Sequence, residues 1–190
     1  METYSKADVV WFWKTKEANG SFSNMCGGFP IVVNGVPIRT TEALYQACRF
    51  PYDGALQQVV IDQKSPMTAK MKTKPHRQLT RPDWNEVSME IMYWCNVLKL
   101  AVHWDQLRPM YEATGDKPIV EFSRKDQFWG AKEVREGILE GQNRLGVVLM
   151  RVREITERPE VVEPPDIQDF MLLGKPIGSI RIHEAEPSLF

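Results

Sequence analysis

The chain lacks any run that could cross a membrane. Its apolar N-terminal stretch, residues 9–13, is bracketed by Asp8 and Lys14 and is too short for a signal-peptide core or a bilayer. Charge of one sign is also missing: 24 basic residues against 25 acidic ones give a formal net charge of -1. No global field draws such a chain along a duplex, so any nucleic-acid contact is expected to be local. Cysteine and histidine are scarce and scattered. Cys26, Cys48 and Cys95 with His76, His103 and His183 match no zinc-ligand spacing. An odd, dispersed cysteine set reads as reduced thiols, so the expectation is a soluble cytoplasmic protein with no metal and no cofactor. Internal repeats and low-complexity tracts are absent as well. At 190 residues and 43% hydrophobic content, the chain can bury one core with a tail left over.

What is present alternates short β-type runs with helical periodicity. Residues 9–13, Val-Val-Trp-Phe-Trp, are β-branched and aromatic and suit a strand, with Trp11 and Trp13 expected in the core. Asn34-Gly35 between two apolar runs is a hairpin signal, because both residues accept positive φ. Asn24 can cap a turn or aim its amide at a ligand. Residues 40–50 read as a helix with Thr40 as N-cap and Pro51 beyond its end. Ala43, Leu44, Ala47 and Phe50 form its apolar face, while Glu42, Gln46 and Arg49 form a polar stripe. A solvated stripe is the plain reading. The functional reading puts Glu42 in the first turn, where the helix dipole favours a carboxylate able to stabilise developing positive charge.

Residues 63–82 hold Lys64, Lys70, Lys72, Lys74, Arg77 and Arg81 and no acid. A basic run is usually a solvated face, but in a chain of balanced charge it is also the natural place for phosphates. Lys70 falls in a helical turn after Ser65-Pro66. Asp83 and Glu86 suggest a capping arrangement that opens the longest helix, with Trp84, Val87, Ile91, Trp94, Cys95, Leu98 and Val102 on one face. Trp94 is expected in the core, and Trp84, at the helix start beside the basic run, is a candidate for stacking on a planar ring. A further helical piece breaks or begins near Pro109 and stops at Gly115, and residues 118–122 read as a short strand.

That strand delivers a polar stretch holding Asp126, Trp129 and Gly130, then Gly141 and Asn143, before the apolar helical run of Leu145, Val148, Leu149 and Val152. Loops held against a rigid helix are where binding side chains collect; the plain alternative is a turn, a core Trp and turn glycines. After Glu154 acids alternate with Pro159, Pro164 and Pro165, so residues 156–190 are expected to form an acidic, Pro-containing arm on a domain of residues 1–155.

Taken in order, these motifs resemble the NADAR family, which includes the bacterial YbiA-like proteins. The matching residues are Phe22-Ser23-Asn24, Thr41-Glu42-x-x-Tyr45-Gln46-Ala47-x-Arg49-Phe50, Ser65-Pro66-x-x-Ala69 and Asp83-Trp84. They continue with Asp126-x-x-Trp129-Gly130 and Gly141-x-Asn143-x-Leu145-Gly146-x-x-Leu149-Met150-x-x-Arg153-Glu154. The resemblance implies a mainly α (α+β) fold with a small antiparallel hairpin or sheet, and N-glycosidase chemistry on ribosyl compounds. By the same resemblance, Glu42, Trp84, Asp126 and Trp129 occupy the positions where the family's active-site residues are expected.

Ala43 stands where many bacterial members carry His, and residues 131–142 are fuller than in the YbiA-like branch. Two substrate classes therefore stay open: ADP-ribose on the exocyclic amine of guanine in DNA, and phosphorylated ribosylamino intermediates of riboflavin synthesis. Cleaving a ribose C1′–N bond needs a carboxylate near C1′, a proton for the leaving amine and a held water. Glu42 is assigned to the ribose side and Asp126 to the water or the ribose hydroxyls. Lys70 offers a second route, capture of a ring-opened sugar as a Schiff base. Asn24, Tyr45, Trp84, Trp129, Gly130 and Asn143 are the expected substrate-binding residues, with Lys72, Lys74 and Arg77 on phosphates. The expected partner is ADP-ribosylated DNA or ADP-ribose, and an antitoxin role implies a DarT-type toxin encoded nearby. A non-catalytic ADP-ribose reader, and direct neutralisation of a toxin through residues 157–190, are the rival classes.

Overall fold

The N-terminal aromatics begin the fold as expected, but with a different face inward. A computed structural model describes residues 1–187; the last three residues of the expected arm, 188–190, lie outside the described residues. The chain runs through strands β1 (Glu2–Ser5) and β2 (Val10–Phe12), then β3 (Ile31–Val33) and β4 (Val36–Ile38). Helices α1 (Thr41–Ala47), α2 (Gly54–Ile61) and α3 (Pro66–Thr73) lead through a 3-10 turn at Lys74–Leu79 into α4 (Trp84–Val102) and α5 (Trp104–Ala113). Next come β5 (Ile119–Glu121), β6 (Ala131–Arg135), β7 (Ile138–Gly141) and α6 (Arg144–Arg153). The chain closes with β8 (Val161–Val162), β9 (Met171–Leu172), β10 (Lys175–Pro176), β11 (Ile180–Arg181) and α7 (Ile182–Ala185). The fold is α+β, with helices dominant. No helix among the described residues is long and apolar enough to cross a membrane.

Two units emerge. The first comprises Met1–Ser23 and Trp104–Glu157; the second comprises Asn24–His103 and the segment from Arg158.

In the first unit β7 is the central strand of an antiparallel sheet ordered β1-β7-β6, and β2 pairs in parallel with β5. The stretch 131–142, expected as a loop, is thus a β6–β7 hairpin. Its turn carries Gly137 at φ +72°, and a register shift between Glu133 and Arg135 interrupts the alternation that marks a strand in sequence. Trp11 and Trp13 are half-buried rather than core. Phe12, between them, is the inward residue at 1% exposure, and the indoles pack instead on Phe122 at 6.3 and 5.1 Å. Period-two alternation sends neighbours to opposite faces, and only one face of this strand meets the core. Helix α5 continues through Pro109 rather than starting there, burying Leu107 and Tyr111.

In the second unit the Asn34-Gly35 hairpin forms as read, with both residues at positive φ, and aligns Ile31 with Ile38. Thr40 caps α1, its hydroxyl accepting from the Ala43 N–H at 3.2 Å. Asp83 does not cap α4 with its side chain. Its carboxylate is drawn to Arg81, at 2.6 Å from Nε and 2.9 Å from Nη2, a bidentate pair stronger than a single cap bond. Residues 94–102 of α4 are buried on every side. The C-terminal segment packs within this unit through apolar anchors: Phe170 meets the Trp94 indole edge-on at 4.9 Å, and Leu172, Ile177, Ile180 and Ile182 are buried. Gln57 adds hydrogen bonds to the Met171 carbonyl at 2.9 Å and from the Leu173 N–H at 2.6 Å.

Candidate active site

The polar stripe of α1 faces inward. Glu42 and Gln46 are 5% and 4% exposed, so the solvated reading of the stripe is wrong. Gln46 Nε2 donates to Glu42 Oε1 at 2.9 Å, which turns Gln46 Oε1 toward the Thr73 hydroxyl of α3 at 3.2 Å. The same hydroxyl lies 2.8 Å from the Lys70 carbonyl. A buried carboxylate needs such a partner, because burial penalises an unpaired charge. On two residues that adjoin Glu42 through the backbone, Asn24 Oδ1 and Thr41 Oγ1 are buried with no partner among the described residues, as are Arg81 Nη1, Trp94 Nε1 and Asn96 Oδ1 elsewhere in the unit. The Asn24 amide is 2.7 Å from the Met92 sulfur, a weak acceptor, and the Asn24 carbonyl takes the Glu42 N–H at 3.2 Å. Tyr45, about one helical turn beyond Glu42 on α1 and buried, has its hydroxyl pKa pushed well up, first by burial and then by the Glu42 charge. It therefore remains a proton donor at neutral pH.

The Tyr45 ring lies 5.0 Å from Trp84, and the Arg49 guanidinium sits 5.2 Å over the same indole. Arg49 also donates to the Thr80 hydroxyl at 2.9 Å. Trp84 is half-buried, and Lys70 is half-buried on α3. Lys72, Lys74 and Arg77 are exposed on α3 and the turn after it. The structure thus brings Glu42, Tyr45, Trp84, Asn24 and the basic run together in one unit.

Asp126, Trp129, Gly130 and Asn143 belong to the first unit. Asp126 Oδ1 accepts from the Phe128 and Trp129 N–H groups at 3.0 and 2.9 Å, and Ser123 Oγ accepts from the Asp126 N–H at 2.9 Å. The turn this makes presents the Phe128 and Trp129 carbonyls to the Arg144 and Leu145 N–H groups at 3.1 and 3.0 Å. Those are the first N–H groups of α6, which have no partner inside the helix. Asn143 is fully buried at φ +49°; its amide donates to the Ile119 carbonyl at 2.8 Å and its oxygen accepts from the Glu121 N–H at 3.1 Å. Its side chain is engaged by β5. A Cβ on Gly146 would lie 2.0 Å from the Ile119 carbonyl, so glycine there permits the close approach of α6 to β5. Gly130 is under a similar constraint, 2.7 Å from the Glu121 carbonyl.

Sequence periodicity missed Lys99. It sits in the buried half of α4 at 2% exposure, 4.8 Å over the Phe29 ring, and burial lowers its pKa from 10.5 to about 8. Between these values the unfolded chain holds one more proton, so stability rises with pH from about 8 to 10.5; below 8 the full penalty remains. The span corresponds to about 3 kcal/mol. Denaturant melts of the wild type and Lys99→Met at pH 7.5 and 10 should show a stability difference that shrinks by that order at the higher pH. A difference independent of pH would contradict a strained ammonium. Among the described residues no three His, Cys, Asp or Glu side chains gather as metal ligands.

Comparison with known proteins places the chain in a family. The NADAR domain model matches residues 11–156. The N-glycosidase YbiA of Escherichia coli (strain K12) is 31% identical over 146 residues, covering 77% of this chain and 87% of that protein. A riboflavin biosynthesis protein of Vibrio vulnificus is 32% identical over 147 residues, which is 76% of this chain and 38% of that protein. The NMR structure of E. coli YbiA superposes with a TM-score of 0.65 at 31% identity, covering 77% of this chain and 84% of that one. With the family model spanning most of the chain and N-glycosidases among its relatives, the protein belongs to the NADAR family and to its N-glycosidase enzymes.

Proposed function

We propose that the protein hydrolyses the ribose C1′–N bond of ADP-ribosylated guanine in DNA, as a repair or antitoxin activity against a DarT-type toxin. The observation that carries the reading is the buried Glu42, gripped by Gln46, with the orphaned Asn24 Oδ1 and Thr41 Oγ1 on residues that adjoin it through the backbone, in one unit with the acid-free basic segment 63–82. Unpartnered buried polar atoms call for an explanation, and a ribosyl ligand with its hydroxyls supplies one.

In this reading water adds to C1′, the C1′–N bond breaks, and the departing guanine amine regains a proton, leaving free ADP-ribose and an unmodified strand. The Glu42 carboxylate stabilises the oxocarbenium character that builds on the ribose as the bond lengthens. Asn24 and Thr41 bind ribose hydroxyls, and the protonated Tyr45 donates toward the leaving group or holds the water. Trp84, braced by Arg49, lies against the extruded base, whose lesion lowers the cost of unstacking. Lys72, Lys74 and Arg77 take backbone phosphates. In the first unit, Asp126 is a positioning residue for the loop that carries Trp129.

One observation favours a second substrate class: a relative sharing 32% identity is named a riboflavin biosynthesis protein. Phosphorylated ribosylamino intermediates contain the same kind of C1′–N bond. Parallel incubations with an oligonucleotide carrying ADP-ribosyl-guanine and with such an intermediate separate the two, following free ADP-ribose or ribose phosphate. Turnover of the oligonucleotide at least about tenfold faster in kcat/KM is the expected result; preference for the small molecule would replace the DNA reading.

A further inference from the structure

A cavity of about 700 Å³ in the second unit is lined by none of the side chains gathered around Glu42; it meets that site only at Thr40, and the basic run only at Lys64. It is of the size that holds nucleotide-like ligands. Pro30, Pro37 and Ile38 give it apolar walls, Gly27 and Gly28 give it bare backbone, and Arg39 and Lys64 are its charged lining residues. No acid lines it, and among the described residues neither cation is paired with a carboxylate. A Cβ built on Gly27 or Gly28 meets nothing within 4 Å, so the space over that backbone is open to a ligand.

The loop that forms this wall is held firmly from behind. Phe29 is buried between the Lys99 ammonium at 4.8 Å and the His103 ring at 5.3 Å, and His103 Nε2 lies 2.7 Å from the Pro30 carbonyl. A wall fixed before binding loses little conformational freedom when a ligand arrives. At its near end the same loop carries Asn24, whose carbonyl holds the Glu42 N–H, and the cavity edge at Thr40 is the N-cap of the helix bearing Glu42. The cavity and the carboxylate share one loop and one helix start.

We infer that this cavity is a phosphate subsite, in which Arg39 and Lys64 bind the phosphate-bearing part of the ribosyl substrate while its anomeric carbon is at Glu42. The ligand class rests on the glycosidase reading; the anion site rests on the cavity. Phosphate is the shared chemistry of two sources, the pyrophosphate of an ADP-ribosyl group and the monoester of a ribose phosphate. Arg39 and Lys64 are both exposed, so each is free to turn toward a bound dianion and make a charge-assisted bond with it.

Calorimetric titration of the full-length protein with ADP-ribose, ribose 5-phosphate and ribose tests it. Ribose should fail to bind where the phosphorylated ligands succeed, and Arg39→Ala/Lys64→Ala should weaken their binding on the order of 100-fold with the melting temperature unchanged. Lys175→Ala, an exposed lysine of the same unit with no place in the site, should leave that affinity within about threefold. Binding of ADP-ribose alone identifies the pyrophosphate as the anion; binding of both admits the monoester. Wild-type affinity in the Arg39/Lys64 double variant, or an equal loss in the Lys175 variant, overturns the subsite whatever the enzyme does to DNA. Conversely, an intact ADP-ribosylated oligonucleotide together with Arg39/Lys64-dependent binding removes the DNA substrate and keeps the subsite.

Discussion

Glu42→Gln should lower turnover about 10³-fold while leaving the protein folded and no less stable. The substitution keeps the shape of the side chain and an oxygen for Gln46 Nε2, which now donates to Glu42 Oε1 at 2.9 Å. What it removes is the negative charge that a developing oxocarbenium ion needs. It also removes a charge from a buried position, and neutral replacements at such positions are often stabilising. An inactive variant with an equal or higher melting temperature is therefore the signature of a carboxylate kept for chemistry. Glu42→Asp, which retains charge but withdraws it from Gln46 by one methylene, should recover part of the rate. If Glu42→Gln retained activity within a few-fold of wild type, the Glu42-centred mechanism would fail; if it unfolded the protein, Glu42 would be structural.

Asn143→Ala is expected to have the largest effect on stability, about 3–5 kcal/mol. Its amide and oxygen satisfy the Ile119 carbonyl, in a buried bond, and the Glu121 N–H, in a part-buried one, and the substitution removes both bonds. Alanine must also adopt φ +49°, a left-handed conformation that costs about 1 kcal/mol or more outside glycine and asparagine. For a chain of this length the melting temperature should fall by about 10 °C. Asn143→Gly, which tolerates the backbone but also loses both bonds, should fall less, and the gap between the two variants measures the backbone strain. An unchanged melting temperature with a raised KM would return Asn143 to the substrate-contacting role read from its motif.

Asn143 also shows where sequence reading reaches its limit. A motif position marks a residue as needed without saying whether a ligand or the neighbouring strand needs it, and β5 lies more than twenty residues upstream. The stripe of Glu42 and Gln46 has the same spacing whether it faces water or protein; Thr73, on a different helix, decides the matter. Lys99 lies among apolar residues on α4 like any snorkelling lysine, and is buried because elements remote in sequence close over that half of the helix. By contrast, the Thr40 cap, the Asn34-Gly35 hairpin, Pro66 at the start of α3 and the apolar face of α4 were all legible. Each is decided by residues within one or two turns of itself. The C-terminal arm lies between these cases: its prolines and acids are visible locally, whereas its anchoring on Trp94 and Gln57 depends on partners far away.

The measurement closest to the central claim is the intact mass of an oligonucleotide carrying one ADP-ribosyl-guanine, taken before and after a single turnover with the wild type and with Glu42→Gln. The wild type should remove the ADP-ribosyl mass and leave the guanine on the strand, and the Glu42→Gln reaction should show the starting mass. A strand that had lost its base along with the ADP-ribose, or that left the wild-type reaction unaltered, would contradict the account.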